Sequence, residues 1–338
     1  MTDITFEKSM YTIDEVKELI KTKKKFLLAG DEELLKQIPA GSWIGGTIPY
    51  FMTDQGGKTT RDEIYVTLLP DEDITDLNIK VYDENSINKV YSEAPDNGFS
   101  LIILPATTSI HLKFALNAPM FPDFAIRPLI GWIAGIHLDD LGKITPKVFD
   151  GSTGSIYEDK GVVMHLSLPK NKFAEINIIN IFEQGKGDTI TFEENGFSVT
   201  EAIINGEKAN FADYVKSRNL DTRFPLVANY NGIMINISYQ TIDEDKKRVD
   251  FYAPVFKGVE YKHAADIKDY VGQFTAQIPK EGVDDVAFSC NCILNYLYSE
   301  LEGKKTGDGV TGPMTFGEIA YQLLNQTMVY LTINELID

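Results

Sequence analysis

Cysteine is nearly absent from this chain. There are two, Cys290 and Cys292, one residue apart, a spacing that cannot close an ordinary disulfide, so no cross-linked scaffold is expected. Histidine is almost as scarce, with four scattered at positions 111, 137, 165 and 263. The two thiols have no further ligands advertised nearby, so neither a metal nor a cofactor is expected. No run of about twenty apolar residues is present to span a bilayer as a helix. The opening Met1-Thr2-Asp3-Ile4 lacks the basic start and apolar core of a secretory signal. Basic residues are outnumbered, 32 Lys and Arg against 50 Asp and Glu, for a net charge of −18. So acidic a surface repels phosphate backbones and anionic lipid, which argues against nucleic acid and membrane as partners. A cytoplasmic protein is expected. The one basic cluster, residues 21–25, fits the end of a helix, where cations meet the negative end of the dipole.

What is present is a regular apolar pattern over 43% of 338 residues, enough for a folded protein of two domains. Residues 12–24 read as a helix, with Thr12 and Glu15 forming a capping box and Ile13, Val16, Leu19 and Ile20 sharing a face. Strands are expected at 26–29, 43–52, 63–69 and 99–104, with helices at 31–37 and 107–116. Residues 161–168 and 175–182 read as a pair of strands joined by the turn Pro169-Lys170-Asn171-Lys172. Further strands are expected at 200–204, 233–240, 248–252, 285–289 and 321–333, and helices at 209–218, 266–277 and 293–301. The elements interleave without a strict βαβ rhythm. The expected class is therefore α+β, two lobes with mixed, largely antiparallel sheets flanked by helices. A polar turn at 195–198 sets the expected boundary, giving domains 1–197 and 198–338.

The chemistry concentrates between residues 283 and 332. Phe288-Ser289-Cys290-Asn291-Cys292 stands where a strand is expected to pass into a helix. A thiol at a helix N-terminus is held toward thiolate, which makes Cys290 a candidate nucleophile. A thiol is equally at home in a core or a pocket wall. The loop Gly307-Asp308-Gly309-Val310-Thr311-Gly312 spells a dinucleotide fingerprint, but it follows an expected helix and runs into Pro313, so it reads as loop glycines. Glu318, inside the apolar Phe316-Gly317-Glu318-Ile319, is either exposed, paired, or placed to hold a ligand cation. Asn325, Gln326 and Thr327 offer neutral hydrogen bonds to a ligand or to a turn. In the first half, Trp43-Ile44-Gly45-Gly46-Thr47 and Gly131-Trp132-Ile133-Ala134-Gly135 place glycines in apolar runs, which suits close packing of backbone. His137, directly after, reads as a surface or hydrogen-bonded histidine.

At these residues the chain resembles the FIST family, sensory modules with paired N- and C-terminal FIST domains. The second half carries the better match, in Ile204-Asn205-Gly206 with Ala209 and Tyr214, in residues 254–261, in Phe288-Ser289-Cys290, in Thr315-Phe316-Gly317-Glu318-Ile319 and in Asn325-Gln326-Thr327. In the first half the resemblance rests on residues 43–47 and 130–135, with Pro49-Tyr50 replacing an expected Gly-Glu pair and Trp132 replacing a glycine. By order of motifs it covers about residues 25–332. It implies a sensor in signal transduction that binds a small ligand, an amino acid or a related metabolite. Its site would be Phe288, Cys290, Phe316, Glu318, Asn325 and Thr327, with Glu318 facing the ligand cation. With no output domain recognised, the signal would pass to a partner protein or through a homo-oligomer. Two alternatives stay open: a cysteine-dependent hydrolase or transferase using Cys290, and a non-catalytic scaffold.

Overall fold

A computed structural model describes residues 8–230, 232–277, 286–305 and 310–336. The first helix shows how closely local chemistry sets an element. Ile13–Ile20 starts behind Thr12, whose side chain accepts from the Glu15 N–H while the Glu15 carboxylate takes the Thr12 N–H at 2.8 Å, and Val16, Leu19 and Ile20 are buried. Among the described residues no helix is long and apolar enough to cross a membrane.

The fold is α+β and rich in strands, and its contacts divide the chain into two units. The first comprises Met1–Ile178, Ile278–Gln322 and Met328–Asp338, the second Ile179–Gln277 and Leu323–Thr327. A cut at 197/198 would pass through the strand Gly196–Val199, which pairs with Arg248–Val255. The C-terminal strands also find their partners early in the chain: Gly312–Thr315 pairs with Tyr50–Thr53 inside the first unit. Such long-range pairing is invisible in local composition.

Most strand pairs of the first unit are antiparallel, but three are parallel: Phe26–Gly30 with Trp43–Thr47, Gly98–Pro105 with Leu129–Ala134, and Val286–Cys292 with Gly312–Thr315. Each pair is bridged by a helix, Glu32–Leu35, Ser109–Asn117 and Ile293–Tyr298 respectively. Three βαβ units are thus embedded in an otherwise antiparallel fold, each with two strand carboxyl ends on one side. Gly98–Pro105 and Leu129–Ala134 are buried throughout, as a strand covered on both faces must be.

Gly46 and Gly131 confirm the packing role read from their apolar runs. A Cβ on Gly46 would lie 2.6 Å from Ile103 Cγ2, across to the neighbouring sheet, and one on Gly131 would lie 1.8 Å from the Ile102 carbonyl oxygen. The pairing expected between 161–168 and 175–182 is not formed. Gly161–Ser167 is buried on nearly every residue and takes two neighbours, Asp76–Tyr82 and Gly98–Pro105. Lys172–Ile179 alternates in exposure and lies beside Met328–Glu335 at the edge of another sheet. The last expected strand, 321–333, is two strands, Gln322–Leu324 and Met328–Glu335, because Gln326 takes a left-handed turn at φ 50°.

The second unit holds a sheet in the order Glu207–Asn210, Glu201–Ile204, Ile190–Thr191, Tyr261–His263, Leu226–Tyr230, Ile233–Ile237. A three-stranded sheet of Gly196–Val199, Arg248–Val255 and Tyr239–Asp243 accompanies it. Phe192, Phe211, Phe251 and Tyr261 form its aromatic core, with Phe192 and Phe211 edge to face at 5.4 Å.

Candidate functional site

Of the cysteine pair only Cys292 stands at a helix N-terminus, as the N-cap of Ile293–Tyr298. The strand runs through Val286–Cys292 and the helix begins at Ile293, so Cys290 sits in mid-ladder opposite Val329. Its thiol is 2% exposed and donates to the Gly131 carbonyl at 3.4 Å. Burial above all, and then the nearby Glu318 carboxyl, pushes the thiol well above its ordinary pKa. A neutral thiol in the core is a poor nucleophile.

Glu318 is fully buried, paired in the sheet opposite Trp132, with its Oε1 3.4 Å from the Thr315 hydroxyl. Phe288 stacks on Trp132 at 5.6 Å. Phe288, Cys290 and Glu318 therefore meet around Gly131 and Trp132, as core. Asn325 and Thr327 belong to the second unit, so the six expected residues do not form one constellation within either unit. The Asn325 carbonyl accepts from Asn236 Nδ2 at 3.0 Å, and the neighbouring Gln326 accepts from Ser238 at 2.7 Å and donates to the Arg223 carbonyl at 2.9 Å. This is turn-holding chemistry. Residues 307–309 of the glycine loop lie outside the described residues. Gly312 opens a strand, where a Cβ would be 2.2 Å from the Ser289 carbonyl oxygen.

Phe316 has a different setting. It follows Thr315, the carboxyl end of the third βαβ unit, its N–H donates to Ile133 O at 3.1 Å, and its ring covers Gly135, where a Cβ would stand 2.3 Å away. The carboxyl ends of the first two βαβ units, and that of Gly312–Thr315 from the third, lead to the same place. Gly30 and Thr47 end the first pair, Pro105 and Ala134 the second, and the residues that follow line two adjoining cavities. One, of about 310 Å3, is walled by Asp31, Glu33, Thr47, Arg61, His137 and Asp140, among others. The other, of about 450 Å3, is walled by Ala106, Ile136, Leu141, Ile144, Pro146 and Phe316, among others. Ile136, Ile144 and Thr145 line both. Ligands of open sheets with βαβ connections gather at strand carboxyl ends, because loops diverge there and helix N-termini point there.

The polar cavity carries opposed charges. Arg61 pairs with Asp140 at 2.6 Å, and Lys147 with Glu32 at 2.6 Å. Asp31 caps the helix Glu32–Leu35 by accepting from the Glu33 N–H at 3.0 Å, and has no cationic partner among the described residues. His137 lies stacked on Tyr50 at 5.5 Å, and its Nδ1 accepts from the Asp139 N–H at 3.3 Å. The Tyr50 hydroxyl, raised in pKa chiefly by burial, accepts from the Leu138 N–H at 3.0 Å and fixes that loop. Thr107, at the foot of the apolar cavity, has φ 63°, a strained conformation for a β-branched residue.

Of these, only Phe316 was singled out as a ligand-binding residue from sequence; His137 was read as a hydrogen-bonded histidine. Asp31, Arg61, Asp140 and Ile144 were missed. The available signal was the repeated passage from apolar strand to capping residue, Gly30-Asp31 and Pro105 to Thr108, which marks strand-to-helix turns. A second constellation lies elsewhere, its serine, histidine and tyrosine buried in the fold. Tyr82 donates to Glu93 at 2.9 Å, so its oxygen accepts from His165 Nε2 at 2.9 Å, and Ser100 Oγ donates to His165 Nδ1 at 2.7 Å. The polarity is that of a catalytic relay, but Ser100 is 1% and His165 4% exposed, and burial lowers the imidazole pKa to about 4. No substrate reaches it, and its role is to satisfy polar groups between strands. Among the described residues no group of three or more His, Cys, Asp or Glu side chains is placed to hold a metal ion.

Comparison with curated proteins finds no match. Over residues 11–334 the chain matches the family described as "Family of unknown function (DUF6976)", and it belongs to that family.

Proposed function

We propose that this protein is a small-ligand-binding sensor acting in signal transduction, and that its site is the double cavity at the strand carboxyl ends of the first unit. The observation that carries the reading is the convergence of strand carboxyl ends from three βαβ units on one cleft whose walls combine fixed hydrogen-bonding groups with uncompensated negative charge. Asp31, which has no cationic partner among the described residues, favours a ligand bearing an ammonium group, an amino acid or a related metabolite. Binding without turnover is favoured because the candidate nucleophile, Cys290, is a core thiol. The sensory role rests on the resemblance of Phe288-Ser289-Cys290 and Gly317-Glu318-Ile319 to FIST motifs. A cytoplasmic setting and a partner protein, or a second copy of the chain, to receive the signal belong to the same reading.

Thermal-shift screening and titration calorimetry against amino acids and primary amines test it. A ligand at about a hundred times its Kd stabilises a protein by about 2.7 kcal/mol, enough for a shift of several degrees. Asp31→Asn keeps the helix cap and removes the charge, so it should weaken binding without lowering the unliganded Tm. No shift by any ammonium compound at millimolar concentration would refute the proposal.

A further inference from the structure

The two cavities differ in chemistry in a way that specifies the ligand further, and this step rests on the reading of the cleft as the binding site. In the first cavity Arg61 holds Asp140, Lys147 holds Glu32 and Lys36 holds Glu33, which leaves Asp31 as the wall carboxylate with no cationic partner among the described residues. A negative charge on the ligand would meet Asp31 and find those cations already engaged, so the head group it suits is an ammonium without a carboxylate beside it.

The adjoining cavity is larger and apolar. Leu141 and Ile144 stand 55% and 48% exposed at its wall, an arrangement that leaves apolar surface in water unless something covers it. Three of the polar groups there are engaged elsewhere. The Thr107 hydroxyl donates to Ala106 O at 2.7 Å, the Thr107 N–H donates to His111 Nδ1 at 3.1 Å, and the Lys143 ammonium donates to Asp139 O at 2.7 Å. Phe316 closes the wall against Gly135. A compact polar ligand would fill the first cavity and leave the second to water.

We infer that the ligand is an apolar-tailed primary amine, its ammonium at Asp31 and its tail over Phe316 between Leu141 and Ile144. The probes are ethanolamine, butylamine, hexylamine, phenethylamine and phenylalanine, titrated calorimetrically into the full chain. Affinity should rise about fourfold with each methylene added to the tail, and phenethylamine should bind at least tenfold more tightly than ethanolamine and more tightly than phenylalanine. In the double variant Leu141→Ser, Ile144→Ser, at two exposed positions, the advantage of hexylamine over ethanolamine should be lost. Circular dichroism and Tm confirm that the variant is folded. Equal binding of short and long amines would overturn the inference and leave the cleft as an ammonium site. Phenylalanine binding more tightly than phenethylamine would overturn the choice of head group. Tail-dependent binding untouched by the double variant would overturn the location. Binding of none of the probes would overturn both the inference and the proposed function.

Discussion

Lowering the pH from 7 to 5 should cost the first unit about 2 kcal/mol of stability through His165 alone. The ring is buried among Ser100, Tyr82 and strand backbone, with Glu93 and Lys80 the charged groups near it. Burial first, and then Lys80, lower its pKa from 6.5 to about 4, against a smaller opposing effect of Glu93. Because the folded pKa lies below the unfolded one, the neutral ring's contribution is complete above pH 6.5 and drains away as the pH falls toward 4. The full shift is worth roughly 3 kcal/mol, of which roughly two-thirds is lost by pH 5, before most carboxylates titrate. His111 and His263, also lowered chiefly by burial, act in the same direction, so a difference measurement is needed. His165→Gln retains a donor for Tyr82 and an acceptor for Ser100 but no titrating group. Urea denaturation of both proteins at pH 7, 6 and 5 should show the variant losing about 2 kcal/mol less than the wild type over that range, whatever its offset at pH 7. Equal losses, or an NMR titration placing the His165 ring near 6.5, would refute the assignment of this histidine as a buried neutral group.

Cys290 should react with iodoacetamide in the native protein at least roughly 100-fold more slowly than in urea, since the thiol is reached only by local opening, and rapid native alkylation at pH 8 would restore the nucleophile reading. Gly131→Ala places a methyl 1.8 Å from the Ile102 carbonyl oxygen and should prevent accumulation of folded protein or cost more than about 4 kcal/mol. Gly142→Ala meets nothing within 4 Å and, at φ 77°, should cost only about 1 kcal/mol; similar Tm losses for both would contradict the packing account. Thr12→Ala removes the capping box and should lower stability by about 1 kcal/mol in urea, with no change showing that the first turn does not depend on it.

Much of the secondary structure was legible because it is set within a few residues. The capping box at Thr12, the Asp31 cap, the turn at Asn205-Gly206 and the apolar run from Phe99 to Leu104 each declare an element by their own chemistry. The α+β class followed from the interleaving of such segments. The glycines of 45–46 and 131 announced close packing, which any residue with a Cβ would block.

Pairing was not legible. Whether Gly161–Ser167 joins its successor or two earlier strands depends on which neighbours can cover both its faces, and those lie about eighty and sixty residues back. The cleft follows the same logic. Asp31, His137, Ile144 and Phe316 are spread over nearly the whole chain, and none carries a local sign of belonging with the others. Cys290 and Glu318, by contrast, drew notice as reactive types in a conspicuous stretch, and the tertiary structure turned them into core. By itself the sequence determined which segments are helix and strand, where backbones must approach closely, and the acidic balance of the surface, since these depend on side chains and their immediate neighbours. The parallel order of three strand pairs, the division into two units and the meeting of loops at one cleft were decided by the tertiary structure alone, because each depends on contacts between residues tens to hundreds of positions apart.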